Sequence, residues 1–380
     1  IHKGQYKKFA DEKWTNTLLQ IYSDYIDAGN TKTRETTDKS LKKFLTTKKR
    51  NARDYADACF RYLRYTGLVS ISHRNRSIAF YPDRIKEVDF ILENIDRNPV
   101  FVDNTNRYKE YLFDATIPKL YIDNIENVID HVMRISDYTQ RQLSGKSIEE
   151  LKDIRDAIVA ERKEAVIKAQ VTEIKSYALY SEIIDTYNEI ISDGYYDAPL
   201  MLEYNTWRAM TMLDGGKIKG NFKFDDVGQP LSTASGNMPD IECYYDDFVL
   251  SVEVTMQQGQ RQYESEGEPV ARHFGQMKKR TGKEAYCLFI APTINKASLA
   301  HFFALNKIDI SYYGGKPKII PLELDQFMRL IENSYNYHKQ PTPDNIRQFL
   351  DEVMRQEEMA VDENDWNDRI QSCVAKWLAA

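Results

Sequence analysis

Residues 236–255 read GNMPDIECYYDDFVLSVEVT, and the arrangement of this stretch sets the plan of the chain. Two runs rich in aromatic and β-branched residues, Ile241 to Tyr245 and Phe248 to Val254, flank the polar pair Asp246-Asp247, a pattern that predicts a β-hairpin with a short turn. With those two aspartates as the loop, cross-strand partners have numbers that sum to 493, which sets Asp240 opposite Glu253. Partners across an antiparallel pair point to the same face with Cβ atoms about 4.5–5.5 Å apart. Two carboxylates that close repel unless one is protonated or a cation lies between them, and a divalent cation with oxygen ligands is the simpler solution. On the second strand Val249, Ser251 and Glu253 share one face, while Phe248, Leu250, Val252 and Val254 line the other. The apolar face then packs into a core and holds the acidic face rigid. A slip of one residue would place the two acids on opposite faces. A surface hairpin with scattered acids is the competing reading.

The chain has 380 residues, 42% of them hydrophobic and 29% charged, which describes a soluble globular protein of two or three domains. No apolar run approaches the roughly 18–20 residues needed to span a bilayer, and no signal peptide is visible. Cys59, Cys243, Cys287 and Cys373 show neither metal-binding spacing nor a disulfide framework, which points to a reducing cytoplasm. The first residue is Ile1 rather than Met, which predicts further sequence upstream. The net charge of −6 is uneven: between Asn30 and Tyr65 eleven Lys or Arg stand against four acids, so that segment is +7 and the rest −13. A local positive field in an acidic protein suits a polyanion-binding module, though a solvated basic loop has the same composition.

The spacing of Trp14, Leu18, Leu19, Tyr22 and Ile26 predicts a first amphipathic helix, and Ala52 to Leu63 predicts another after the basic stretch. Leu68 to Ser72, the polar turn His73 to Arg76 and Ser77 to Tyr81 predict a hairpin. A helix bearing Arg50, Arg53, Arg61 and Arg64, followed by a hairpin tipped with Arg74 and Arg76, has the order of a winged helix. Lys49, Arg50, Arg53, Arg61, Arg74 and Arg76 are its candidate DNA-binding residues; a winged helix used for protein contacts is the alternative. Asn98-Pro99 marks a boundary, so 1–98 reads as a recognition region. Residues 99–192 form an all-α linker, with helices over 125–143, 148–177 and 180–191. Residues 193–380 alternate strands and helices: helices over 200–213, from Glu268 and Pro269 onward, 296–305, 325–334, 343–356 and 366–378, and strands over 285–290 and 318–322. Helices on both sides of a small sheet make a three-layer α/β core.

Pro239-Asp240, twelve intervening residues, then Glu253-Val254-Thr255 has the layout of the PD-(D/E)xK nucleases, with Thr255 where a lysine usually stands. The runs RNARDYADACFRYLRYTGLV (50–69), LEYNTW (202–207), GNMPDIECYYDDFVLSVEVT (236–255), EGEPVARHF (266–274) and EAYCLFIAPTINK (284–296) resemble the AlwI-type restriction endonucleases. That family includes type IIS and strand-nicking enzymes that bind an asymmetric site and cut a fixed few bases away.

The resemblance implies a PD-(D/E)xK endonuclease core, double-stranded DNA as substrate, Mg²⁺ as cofactor and a bacterial cytoplasm. It carries four acids onto this chain as catalytic residues: Glu203, Asp240, Glu253 and Glu266. Asp240, Glu253, the Val254 carbonyl and Glu203 are the implied metal ligands. Each has a plainer reading: Glu203 as a solvated first-turn acid, Glu266 as one of several neighbouring glutamates or a partner of Arg272. His273 reads as a packed or hydrogen-bonded core residue, with a catalytic role as the alternative. Other functional readings are the large, nicking subunit of a heterodimeric enzyme, transient dimerisation for double-strand cleavage, and a non-catalytic DNA-binding regulator.

Overall fold

The structure, a computed structural model, describes residues 3–34, 37–72, 77–96, 104–114, 116–192, 194–337 and 340–378. The chain divides into two compact units, Ile1–Thr66 and Gly67–Ala380.

The first unit holds helices Lys3–Ile21, Ser23–Asp27 and Leu41–Tyr65. The last begins earlier than predicted because the Ser40 side chain caps it, accepting from the Lys43 N–H, so much of the basic stretch is helix. Leu18 and Phe44 are buried, and the Tyr22 ring meets Phe44 edge-on at 5.6 Å. Arg50, Arg53 and Arg61 are exposed, whereas Lys49 is ion-paired with Asp11 and Arg64 is buried.

The second unit opens with β1 (Val69–Ile71) and β2 (Ile78–Phe80), antiparallel with Val69 opposite Phe80. The turn carrying Arg74 and Arg76, and the boundary at Asn98-Pro99, lie outside the described residues. The helix and hairpin that the sequence joined into a winged helix fall on opposite sides of the division at Thr66.

Helices Ile85–Asn94, Thr105–Phe113, Ile125–Ile135, Gln140–Leu143, Ile148–Lys175 and Tyr180–Ile191 follow. The single helix predicted over 125–143 is two, because Ser136 turns back on the Val132 carbonyl at 2.6 Å and Thr139 starts a new capping box with Gln142. Val128, Ile129, Val132, Leu143 and Leu151 make a small core of their own, while Ile174, Ile183, Tyr187 and Ile190 join the larger core.

The larger core surrounds a five-stranded mixed sheet. After β3 (Lys217–Gly220) comes a separate short hairpin, β4 (Lys223–Phe224) and β5 (Pro230–Ser232). Then follow β6 (Ile241–Tyr244), β7 (Phe248–Val254), β8 (Glu284–Ala291) and β9 (Ile319–Glu323), in the order β3-β6-β7-β8-β9. β6 runs antiparallel to β7 with Ile241 opposite Val252 and Tyr244 opposite Val249, the predicted register. β7, β8 and β9 are parallel. Helices Ala198–Leu213 and Leu324–Asn336 pack on one face, Gln260–Thr281 and Lys296–Lys307 on the other.

Two expectations are corrected here. Val249 and Ser251 do not lie on an open acidic face; β7 is covered on both sides and every residue from Phe248 to Glu253 is buried, so its polar character is confined to the end at Glu253. The helix predicted to start at Glu268 starts at Gln260 and takes Pro269 into its interior. A proline forgoes one backbone donor there, and the helix accepts that because Val270, Phe274 and Met277 bury its apolar face.

Candidate active site

Glu203 lies in a helix of which every residue from Leu200 to Leu213 is buried. Tyr204 and Trp207 pack that helix onto Phe222 and Phe224, fixing its position against the β3–β5 region. The Glu203 carboxylate is itself buried and accepts from the Ala234 N–H at 2.9 Å. It is no solvated first-turn acid: burial, and next the charge of Asp240, push its pKa up to about 9.

Asp240 immediately precedes β6 and keeps partial exposure. Its Oδ2 accepts from the Val254 N–H at 2.8 Å, which ties the approach to β6 across to the end of β7. Burial of the carboxyl, and then the neighbouring Glu253, hold its pKa well above the usual carboxylate range. Glu253 is buried near the end of β7, and burial, Glu266 and Glu203 raise its pKa in the same way. Its Oε1 lies 2.9 Å from His273 Nδ1.

Glu266 accepts from the Thr255 hydroxyl at 2.9 Å, and that hydroxyl in turn accepts from the Gln257 N–H at 3.1 Å. Arg272, considered as a partner of Glu266, instead binds Glu268 at 3.2 Å and Asn237 at 2.6 Å. The structure therefore couples all four acids: Glu203 to Asp240 and Glu253, Asp240 to Glu253, and Glu253 to Glu266.

Two further residues complete the site: His273, which the sequence pointed to, and Gln262, which it did not. His273 stands seven positions after Glu266, two turns along one helix face. A helix starting at Glu268, as the sequence predicts, would leave Glu266 outside it and break that relationship. Gln262, fully buried, donates to the carbonyls of Gln257 at 3.0 Å and Thr293 at 2.9 Å and accepts from the Asn295 N–H at 2.8 Å. One amide thus clamps the loops that leave β7 and β8, at the end of the sheet where Glu253 lies.

Among the described residues no arginine or lysine forms an ion pair with Glu203, Asp240, Glu253 or Glu266. The site is rich in oxygen donors and short of positive charge, which is the chemistry that Mg²⁺ fits: Asp240, Glu253 and the Val254 carbonyl are the donors that could hold it, with Glu203 next to them. No group of three or more His, Cys, Asp or Glu among the described residues forms a ready-made cage.

Among the described residues no helix is long and apolar enough to cross a membrane. No curated protein sequence matches the chain. Among solved structures, the small subunit of the heterodimeric restriction endonuclease R.BspD6I is similar, at 25% identity and a TM-score of 0.44, covering 52% of this chain and 99% of that one. The family model described as AlwI restriction endonuclease matches residues 5–330, and the chain accordingly belongs to that family of site-specific deoxyribonucleases.

Proposed function

We propose that the chain is a Mg²⁺-dependent endonuclease of PD-(D/E)xK type that hydrolyses a phosphodiester a short distance from an asymmetric site, in the type IIS or nicking manner. The observation that carries this reading is the hydrogen bond from the Val254 N–H to Asp240 Oδ2, which holds Asp240 beside the end of β7 where Glu253 lies, both acids having pKa values raised first by burial and then by neighbouring carboxylates.

When bound, Mg²⁺ lowers the pKa of a water ligand and offsets charge on the phosphate in the transition state. The protein's own part is positioning. Asp240 is fixed by the Val254 N–H, Glu253 by His273 and Glu203 by the Ala234 N–H, so three carboxylates are held before substrate arrives. Glu203 is suited to orienting a water or helping to hold a second ion. Thr255 is neutral and directs its hydroxyl to Glu266, so Glu266 is positioned by the residue that replaces the usual lysine.

Recognition is assigned to the basic helix Leu41–Tyr65, on which Arg50, Arg53 and Arg61 are exposed. The organisation we favour is recognition region 1–98, helical linker 99–192 and cleavage region 193–380. One site per chain cuts one strand per encounter; the second strand would need a second copy or a catalytic partner.

Incubation with supercoiled plasmid and Mg²⁺, with and without EDTA, tests this. Open circles that EDTA suppresses support a nicking enzyme, and linear product supports cleavage of both strands. Plasmid left supercoiled would instead identify a DNA-binding regulator.

A further inference from the structure

The phosphate that must reach this site meets four acids, and none of them carries a lysine or arginine partner among the described residues. The positive charge that acts on Glu253 is that of Arg272.

Arg272 is one residue before His273, on the helix that also carries Glu266. It is partly buried and reaches from that helix to Asn237, which stands three residues before Asp240. Its Nη1 donates to Asn237 Oδ1 at 2.6 Å and its Nε to Glu268 Oε2 at 3.2 Å. A guanidinium has five N–H donors in a planar fork that matches two oxygens of a phosphate. Two donors are spent on these braces, and three remain.

We infer that Arg272 is the phosphate-binding cation of the cleavage site, braced by Asn237 and Glu268 so that its remaining donors bind the non-bridging oxygens of the strand being cut. The inference rests on the endonuclease reading above. It assigns to a helix residue the positive charge that Thr255 does not supply at the end of β7.

The test uses single-turnover nicking of supercoiled plasmid in Mg²⁺ at several protein concentrations, which separates the maximal rate from the half-saturating concentration. Arg272→Gln should lower the maximal rate by about 10²-fold, with the half-saturating concentration and the melting temperature little changed. Arg272→Lys, which keeps the charge but not the fork, should fall between the two. Asn237→Ala removes one brace and keeps the cation, so its rate should fall less than that of Arg272→Gln. A wild-type rate for Arg272→Gln overturns the inference while leaving the endonuclease reading standing. So does a loss in Asn237→Ala as deep as that in Arg272→Gln, which would make the arginine only a strut for the 236–239 loop. If the wild-type protein leaves plasmid intact, the endonuclease reading itself fails and this inference falls with it.

Discussion

The Asp240 carboxylate accepts a hydrogen bond from the Val254 N–H at 2.8 Å, so an acid just before one strand is anchored to the backbone just after Glu253. The bond separates two roles of Asp240. Asparagine still offers a carbonyl oxygen to Val254 but cannot supply a negative ligand. Asp240→Asn should therefore fold with an unchanged melting temperature, bind DNA as the wild type does, and cut slower by on the order of 10²–10³-fold or more. Filter binding in Ca²⁺ beside plasmid nicking in Mg²⁺ measures both; near-normal cutting by this variant removes Asp240 from the site.

His273 is expected to act through Glu253. Its Nδ1 lies 2.9 Å from Glu253 Oε1, and its Nε2 is buried without a partner. Burial, and next the charge of Arg272, lower its pKa, so the ring is neutral at neutral pH and the bond orients the carboxylate rather than neutralising it. Removing such an outer partner of a metal ligand typically costs 10–100-fold in affinity or activity. His273→Ala should raise the Mg²⁺ concentration needed for half-maximal cutting by about that factor, and excess Mg²⁺ should restore much of the rate. A rate loss that no Mg²⁺ concentration relieves would place the ring in the chemistry instead.

Metal uptake should release protons. Glu203, with its pKa raised to about 9, holds a proton through the neutral range in the metal-free protein, and Asp240 and Glu253 are pushed in the same direction. A ligand must be ionised to bind, so Mg²⁺ affinity should rise with pH between neutrality and about 9. Titration calorimetry in two buffers of different ionisation enthalpy reads the proton count. Glu203→Gln should lower that count; an unchanged count would mean that Glu203 keeps its proton when metal binds.

How much of this was legible depends on how local each cause is. The hairpin register, Ile241 opposite Val252 to Tyr244 opposite Val249, followed from a two-residue loop and the alternation around it. The apolar runs at Glu284–Ala291 and Ile319–Glu323 announced the parallel half of the sheet. The contact between Ala234 N–H and Glu203 spans 31 positions and uses backbone, so no side-chain pattern announces it. Gln262 is equally silent: its three partners sit on loops 5, 31 and 33 residues away. Pro269 misled because proline favours a first turn, and only tertiary packing shows that the helix runs through it.

DNA affinity should depend on Arg50, Arg53 and Arg61, which are exposed along the Leu41–Tyr65 helix. A phosphate contact made by a basic side chain contributes about one unit to the slope of log affinity against log salt. Replacing all three by glutamine should flatten that slope by up to about 3 and leave cutting chemistry intact at saturating protein. An unaltered slope in the triple variant would move the DNA face elsewhere.

His131 sets an acid limit on stability. Only 2% of its surface is exposed, and its Nδ1 has no partner. Burial, then the charges of Arg84, Arg134 and Arg155, outweigh the opposing field of Asp83 and lower its pKa from 6.5 to about 4. Above pH 6.5 the ring is neutral whether the chain is folded or not, and its contribution to stability is fully present. Below that, the unfolded chain takes up a proton that the folded one refuses until about pH 4, so stability drains away across this window by on the order of 3 kcal/mol. His131→Gln has no proton to take up, so its melting temperature should fall less steeply between pH 6.5 and 4 than that of the wild type. Parallel pH profiles for the two proteins would show that the ring charges without penalty where it sits.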